Sequence, residues 1–497
     1  MDLTAEDHAP ETTLATVAVR STGWEGLAFL LGRLANLAAT LVLARLLTPE
    51  AFGLVALALA MILFAETIST NGTAEALVYL PSSRRTTDAA VVLSVVAGAL
   101  LCLVGLAAAP AVADFFQRAD VTDIFRALLV GLFLASVGAV PDALLRRELA
   151  FKRRVITELA RSVTQGGMSV VLAATDFGAW ALVWGYVAGN LAWAASSWLL
   201  VSYRPGLAWP FRGGTARPLL AFGLPASGQA LLAALIFDVD YLIVGRILGP
   251  QELGEYTLAF RLPQVLVLNV FFVLSVVAFP MFSRVKGDPA RLRRGYLTSI
   301  RLQSAYGVAI SVGLAIVAPL LVPVFFGPKW DGAIVPLQGL ALYAAFRALG
   351  TGATDVYKGI GRPGIAATVS LCRLAVLVPV LLLAANGGIE SVAWAQAGTA
   401  LVFATLMQGV ACRVVGVRLR EFARALRPAA VLAIGVALGA ALGGFGVPGD
   451  PAVRLTLATV LGAGLGLGAV WLADREFVRD TVRMVLARRP AHEPSVA

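Results

Sequence analysis

Fourteen apolar runs of helix length, joined by short polar turns, constrain this chain more than any other feature. A bilayer core about 30 Å thick takes roughly 20 residues of helix. Runs of that length fall near 24–44, 52–72, 88–110, 123–143, 155–175 and 178–200, then near 219–247, 255–281, 300–324, 333–355, 364–384 and 390–412. Two more follow near 426–446 and 453–473. Lipid offers backbone amides no partner, so such segments cross as helices that satisfy themselves. The expected fold is therefore an all-α integral membrane protein of fourteen transmembrane helices, six plus six plus two. Composition agrees: only 14% of residues are charged, against about 25% in soluble proteins.

A duplication organises these runs. Residues 41–59, LVLARLLTPEAFGLVALAL, recur 201 positions later as 242–260, LIVGRILGPQELGEYTLAF. Arg45 matches Arg246, Leu47 matches Leu248, Pro49 matches Pro250 and Gly53 matches Gly254. A Pro–x–x–x–Gly break between apolar segments predicts a helical hairpin, and its recurrence predicts two related halves. The expected divisions are an amino-terminal tail (1–23), an N-lobe (24–212), a C-lobe (213–420), a final helix pair (421–473) and a basic tail (474–497). Six spans per lobe is an even number, so both lobes begin on one side of the membrane, with the path between them.

Charge supplies a second test. Forty Lys and Arg against thirty Asp and Glu give +10, a balance that by itself suits a nucleic-acid partner. The cations are placed otherwise. With the amino terminus inside, inner loops hold Arg84, Arg85, Arg146, Arg147, Lys152, Arg153, Arg154, Arg284, Lys286, Arg291, Arg293 and Arg294, and the pattern continues to the tail. Outer turns hold only Arg45, Arg118, Arg246, Lys329 and Arg454. This asymmetry predicts an even span count with both termini cytoplasmic, and no nucleic-acid partner. The segment DREFVRDTVRMVLARR after Ala473 reads either as a basic amphipathic helix on the inner leaflet or as a solvated topology anchor.

Few residues offer covalent chemistry. There is no GxxxxGK[ST] loop, and His8 and His492 lie in the polar tails. Cys102, Cys372 and Cys412 sit in apolar runs without metal-ligand spacing. Gly462, Gly464, Gly466 and Gly468 lie inside the last run and suit close helix packing. No enzyme activity, metal or organic cofactor is expected.

Ionisable residues within spans are costly and usually face a cavity or a partner. The arginines are Arg33, Arg126, Arg161, Arg261, Arg301, Arg347 and Arg373. Arg126 and Arg301 lie near span ends, where they can snorkel. Arg33 and Arg373 lie near mid-span, and Arg261 and Arg347 off centre; these four are the expected cationic lumen. The acids are Glu66, Asp238, Asp240 and Asp355. Glu66, Asp238 and Asp240 are the candidates for ion coupling or lobe–lobe pairing. Asp238 and Asp240, two apart, point about 200° from each other on a helix. Arginine predominance predicts an anionic cargo, because guanidinium grips phosphate bidentately and cannot be neutralised by burial.

Five stretches carry a family resemblance: LARLLTPEAFGLVALA (43–58), ALLRRELAFKRR (143–154), DYLIVGRILGPQELGEYTLAFRL (240–262), FPMFSRV (279–285) and FGPKWDGAIVPLQGLALY (326–343). With them the chain resembles the Wzx-type oligosaccharide flippases, polysaccharide transporters of the multidrug/oligosaccharidyl-lipid/polysaccharide superfamily. The resemblance implies two six-helix lobes around a cationic cavity in a bacterial plasma (inner) membrane. The implied cargo is an undecaprenyl-pyrophosphate-linked oligosaccharide, moved from the inner to the outer leaflet. Implied partners are that lipid-linked oligosaccharide, membrane lipids and polysaccharide polymerase machinery, with a coupling ion, Na+ or H+, left unassigned. Asp240 is the implied family acid of its helix, matched by Ala39 in the first repeat. A multidrug or toxin exporter and a peptidoglycan precursor flippase of the same superfamily are the alternatives. The exporter has twelve spans and suits an acidic cavity. A membrane polymerase or ligase needs an outer domain that these short outer turns do not supply.

Overall fold

A computed structural model describes residues 32, 35–80, 83–148, 150–206 and 215–486. They are helical almost throughout, with no strand among the described residues. The helices are α1 (Ala35–Leu46), α2 (Pro49–Tyr79), α3 (Arg84–Phe116), α4 (Val121–Arg147), α5 (Phe151–Ala173), α6 (Ala179–Leu200) and α7 (Ala216–Ile247). After them come α8 (Pro250–Pro263), α9 (Asn269–Val285), α10 (Pro289–Phe325), α11 (Ile334–Gly359) and α12 (Pro363–Ala384). The last four are α13 (Gly388–Val415), α14 (Leu419–Phe445), α15 (Pro451–Ala473) and α16 (Arg475–Leu486). Ten stretches among the described residues are long and apolar enough to cross a membrane. A single 3-10 turn, Ala385–Gly387, joins α12 to α13, so that pair counts as one of the ten. The described part of α1 is short, and α5 carries Lys152, Arg153, Arg154, Glu158 and Arg161. In α6, Trp180, Trp184, Trp193, Trp198, Tyr186 and Asn190 dilute the aliphatic residues.

The chain divides into two compact units, Met1–Gly254 and Glu255–Ala497. In the first, α2 packs against α3, α4 and α7. Thr48 opens α2 by accepting the Ala51 N–H on its hydroxyl at 3.3 Å, with Pro49 at the first helical position, where a missing N–H costs nothing. The matching turn of the second repeat has Gly249 at φ +92°, backbone that favours glycine.

These duplicated turns meet each other. A β-carbon at Gly53 would lie 1.5 Å from the Pro250 carbonyl oxygen, and one at Gly254 would lie 1.9 Å from the Pro49 oxygen. The residues matched in the repeat are thus the residues in contact, each glycine against the other copy's proline. From there α2 and α7 run antiparallel. Leu57 lies over Gly245, the Ser227 hydroxyl donates to the Ile68 carbonyl at 3.2 Å, and Gly72 lies against Gly223.

At the other end of this unit, Asp142 is buried and binds Arg146 and Arg154, each at 3.1 Å. Arg147 donates to the carbonyls of Leu77 and Leu80 at the end of α2, at 2.8 and 3.2 Å. The basic stretch 143–154 therefore closes helix ends.

In the second unit, α8 passes through a π turn, Gln264–Leu268, into α9, and Tyr306 donates to the Leu266 carbonyl within that turn at 2.5 Å. Gly339 of α11 lies against Ala393 of α13. α14 and α15 form an antiparallel hairpin in which Gly435, Gly439 and Gly443 meet Gly466, Gly462 and Ala458. A β-carbon at Gly464 or Gly468 would meet no atom of a neighbouring element within 4 Å. Half of the glycine run thus serves close packing.

Candidate functional site

The second unit brings two of the sequence-selected arginines onto one aromatic ring. Tyr343 and Arg347 lie one turn apart on α11, a spacing that places them on one face. The Arg347 Nη1 donates to the Tyr343 hydroxyl at 2.5 Å, and its Cζ lies 5.7 Å from the ring centroid. Arg373 reaches the same ring from α12, its Cζ at 5.8 Å. Phe260 of α8 supports the ring from another side at 5.8 Å between centroids. Tyr343 is only 2% exposed, so the platform is fixed by packing.

Each guanidinium has five N–H donors in a planar fork. Contact with an aromatic face, worth about 0.5–2 kcal/mol, orients the fork; Arg347 spends one donor on the Tyr343 hydroxyl, whereas Arg373 makes only the ring contact with it. The Arg373 Nε and one terminal nitrogen are buried without a hydrogen-bond partner, and Arg373 makes no ion pair among the described residues. A phosphate oxygen pair matches that geometry and charge. Arg261 follows Phe260 on α8 and is half-buried. Arg33 lies outside the described residues.

The first unit treats its intramembrane charges differently. Glu66 of α2 accepts a hydrogen bond from the Tyr186 hydroxyl at 2.7 Å and pairs with Arg161 of α5 at 3.7 Å. Arg161 also lies over the Trp193 ring, Cζ to centroid 5.4 Å. Close by, the Ser136 hydroxyl donates to Ser69 at 3.1 Å, and Ser94 donates to the Ser136 carbonyl at 2.8 Å. α6 fits against α4 because Gly131 makes room for Tyr186 and Gly138 for Trp193. Glu66 is thus met from within its own unit. Asp240 of α7 is 3% exposed and Asp238 half-buried. Asp355, near the end of α11, accepts the Ser275 hydroxyl at 2.5 Å on each oxygen.

Two features escaped selection by sequence. Tyr343 read as one more apolar-run residue, although its i, i+4 spacing to Arg347 was visible. Arg161 was recognised as an in-span arginine, but its carboxylate partner sits on a helix remote in sequence. Arg301, near a span end, pairs with Asp474 at the end of α15.

A helical chain with ten stretches long and apolar enough to cross a membrane defines the class, a multi-pass membrane protein. A family model described as polysaccharide biosynthesis protein matches residues 42–335, and the chain belongs to that family. The lipopolysaccharide biosynthesis protein WzxC of Escherichia coli K12 is 24% identical over 349 residues, 69% of this chain and 70% of the relative. The succinoglycan biosynthesis transport protein ExoT of Rhizobium meliloti is 24% identical over 465 residues, 92% of this chain and 93% of the relative. Among solved structures, the lipid II flippase MurJ in an inward closed conformation has a TM-score of 0.73 at 13% identity, over 92% of this chain and 99% of that one. That likeness establishes the fold.

Proposed function

We propose that this protein is a flippase for an undecaprenyl-pyrophosphate-linked oligosaccharide, a repeat unit of exopolysaccharide, O-antigen or capsule. It carries the unit from the inner to the outer leaflet by alternating access. The convergence of Arg347 and Arg373 on buried Tyr343 is the observation that carries this reading. A diphosphate offers several oxygens to two preset guanidinium forks, while the lipid tail stays in the bilayer. Burial raises the electrostatic gain, since the site has a lower dielectric than water. Arg33 and Arg261 are proposed as further cargo-binding cations. In this reading the chain has fourteen spans, both termini in the cytoplasm, and lobes spanning 24–212 and 213–420. Relatives named for polysaccharide synthesis and transport support it.

The test is the leaflet position of the undecaprenyl-linked intermediate in a deletion strain, read by accessibility in sealed vesicles. Inner-leaflet accumulation, reversed by the wild type but not by an Arg347→Ala/Arg373→Ala variant at equal protein level, is the expected result. Normal export by that variant refutes the site. Loss of viability on deletion, with lipid II accumulating instead, turns the cargo assignment to the peptidoglycan precursor.

A further inference from the structure

The junction of α15 and α16 combines a helix anchored at its first turn with a cationic outer face. Asp474 ends α15 and opens α16. One of its carboxylate oxygens accepts the Phe477 N–H at 3.0 Å, and the other pairs with Arg301 of α10. Phe477 is buried against Leu302, Ala305, Val431 and Val470, and Arg301 lies 5.1 Å over its ring. These contacts hold α16 against α10 and α14.

With Phe477 turned inward, Arg475 and Arg479 are exposed on the outer face, and Arg483 continues the four-residue spacing in sequence. Because the α14–α15 hairpin is antiparallel, the first turns of α14 lie at this same end. They add exposed Arg420, Arg424 and Arg427. Two local acids are already matched, Asp474 by Arg301 and Glu421 by Arg293. Exposed Glu476, and Asp480 in sequence, are fewer than the arginines of this end, so it keeps a net positive charge. Trp471, half exposed in the last turn of α15, has Arg475 4.5 Å over its ring. An exposed tryptophan ending an apolar span sits at the lipid headgroup level, and that places the neighbouring arginines among phosphates.

We propose that α16 and the start of α14 form a binding surface for anionic phospholipid headgroups. Arginine forks pair with phosphate oxygens, while Trp471 and the exposed Leu472 enter the boundary with the acyl chains. The inference is independent of what cargo the protein moves. It is tested on the full chain in vesicles of phosphatidylcholine containing spin-labelled phosphatidylglycerol or spin-labelled phosphatidylcholine. The wild type is expected to enrich phosphatidylglycerol, with each neutralised arginine lowering the preference by about fivefold at low salt. Arg475→Gln/Arg479→Gln removes most of the preference and Arg475→Lys/Arg479→Lys keeps most of it. Circular dichroism and thermal unfolding verify folding, since neither residue holds the Arg301–Asp474 anchor. Equal association of both lipids with the wild type, or an unchanged preference in the glutamine variant, overturns the proposal.

Discussion

Alanine at Gly53 or Gly254 probes the contact between the two duplicated turns. The added β-carbon would lie 1.5 Å from the Pro250 oxygen in the first case and 1.9 Å from the Pro49 oxygen in the second. A relaxed carbon–oxygen contact needs about 3.3 Å, so the turns must part by roughly 1.5–2 Å. The obstructing atoms belong to backbone, and no side-chain rotation relieves them. Overpacking of this kind costs about 1–3 kcal/mol. That energy multiplies the ratio of parted to joined turns by about 5- to 150-fold. Leu57, fully buried and lying over Gly245, reports the change. It is replaced by cysteine in a chain whose Cys102, Cys372 and Cys412 are alanine, and maleimide labelling is timed. Either glycine variant should accelerate labelling within that range. The double variant should add little, because one separation relieves both clashes, a large non-additivity. Unaltered labelling in Gly53→Ala, or two fully additive effects, refutes the reciprocal contact.

Other consequences are simpler to check. Glu66→Gln leaves Arg161 uncompensated and should lower stability by about 1–3 kcal/mol, less than for a fully buried pair because Arg161 is a quarter exposed; Glu66→Gln/Arg161→Gln should recover part of it in thermal unfolding. Gly439→Val places a side chain 2.2 Å from the Leu461 oxygen and should cost about 1–3 kcal/mol, whereas Gly464→Ala, with open space around it, should stay within about 0.5 kcal/mol of wild type. Asp288 caps α10, and N–H donation from Arg291, then Ala290, holds its carboxyl below the ordinary range. Its contribution is present above the unfolded pKa near 3.9 and is lost as pH falls through the lower folded value. The stability gap between wild type and Asp288→Asn should therefore close below about pH 4, as read by thermal unfolding across pH.

Helix positions were legible because lipid imposes a length and a composition on each span, and a span declares itself locally. The Pro–x–x–x–Gly turns were legible for the same reason. Their mutual contact was not, since a repeat reveals likeness and says nothing about adjacency. α5 departs from the apolar rule because Arg161 within it has Glu66 to meet, and that partner comes from α2. Arg347 and Arg373 stood out as ionisable residues inside apolar runs. The ring that gathers them did not, because a tyrosine among leucines and alanines carries no signal of what will approach it. The π turn after Pro263 left only that proline as a trace.

Arg161 of the first unit and Arg373 of the second are held in opposite ways, and in the proposed function the difference bears on how an anion is received. In the first, Arg161 is compensated by Glu66 and flanked by Trp193, so its charge is largely satisfied within the protein. In the second, Arg373 rests on Tyr343 with two buried donors unspent. A neutralised guanidinium gains little from a phosphate, because binding must first displace its carboxylate. An aromatic-supported one has no carboxylate to displace and is already oriented, so the ordering cost of binding is partly met before cargo arrives. In the proposed function, Tyr343, Arg347 and Arg373 are therefore the group that grips the phosphorylated headgroup of the cargo.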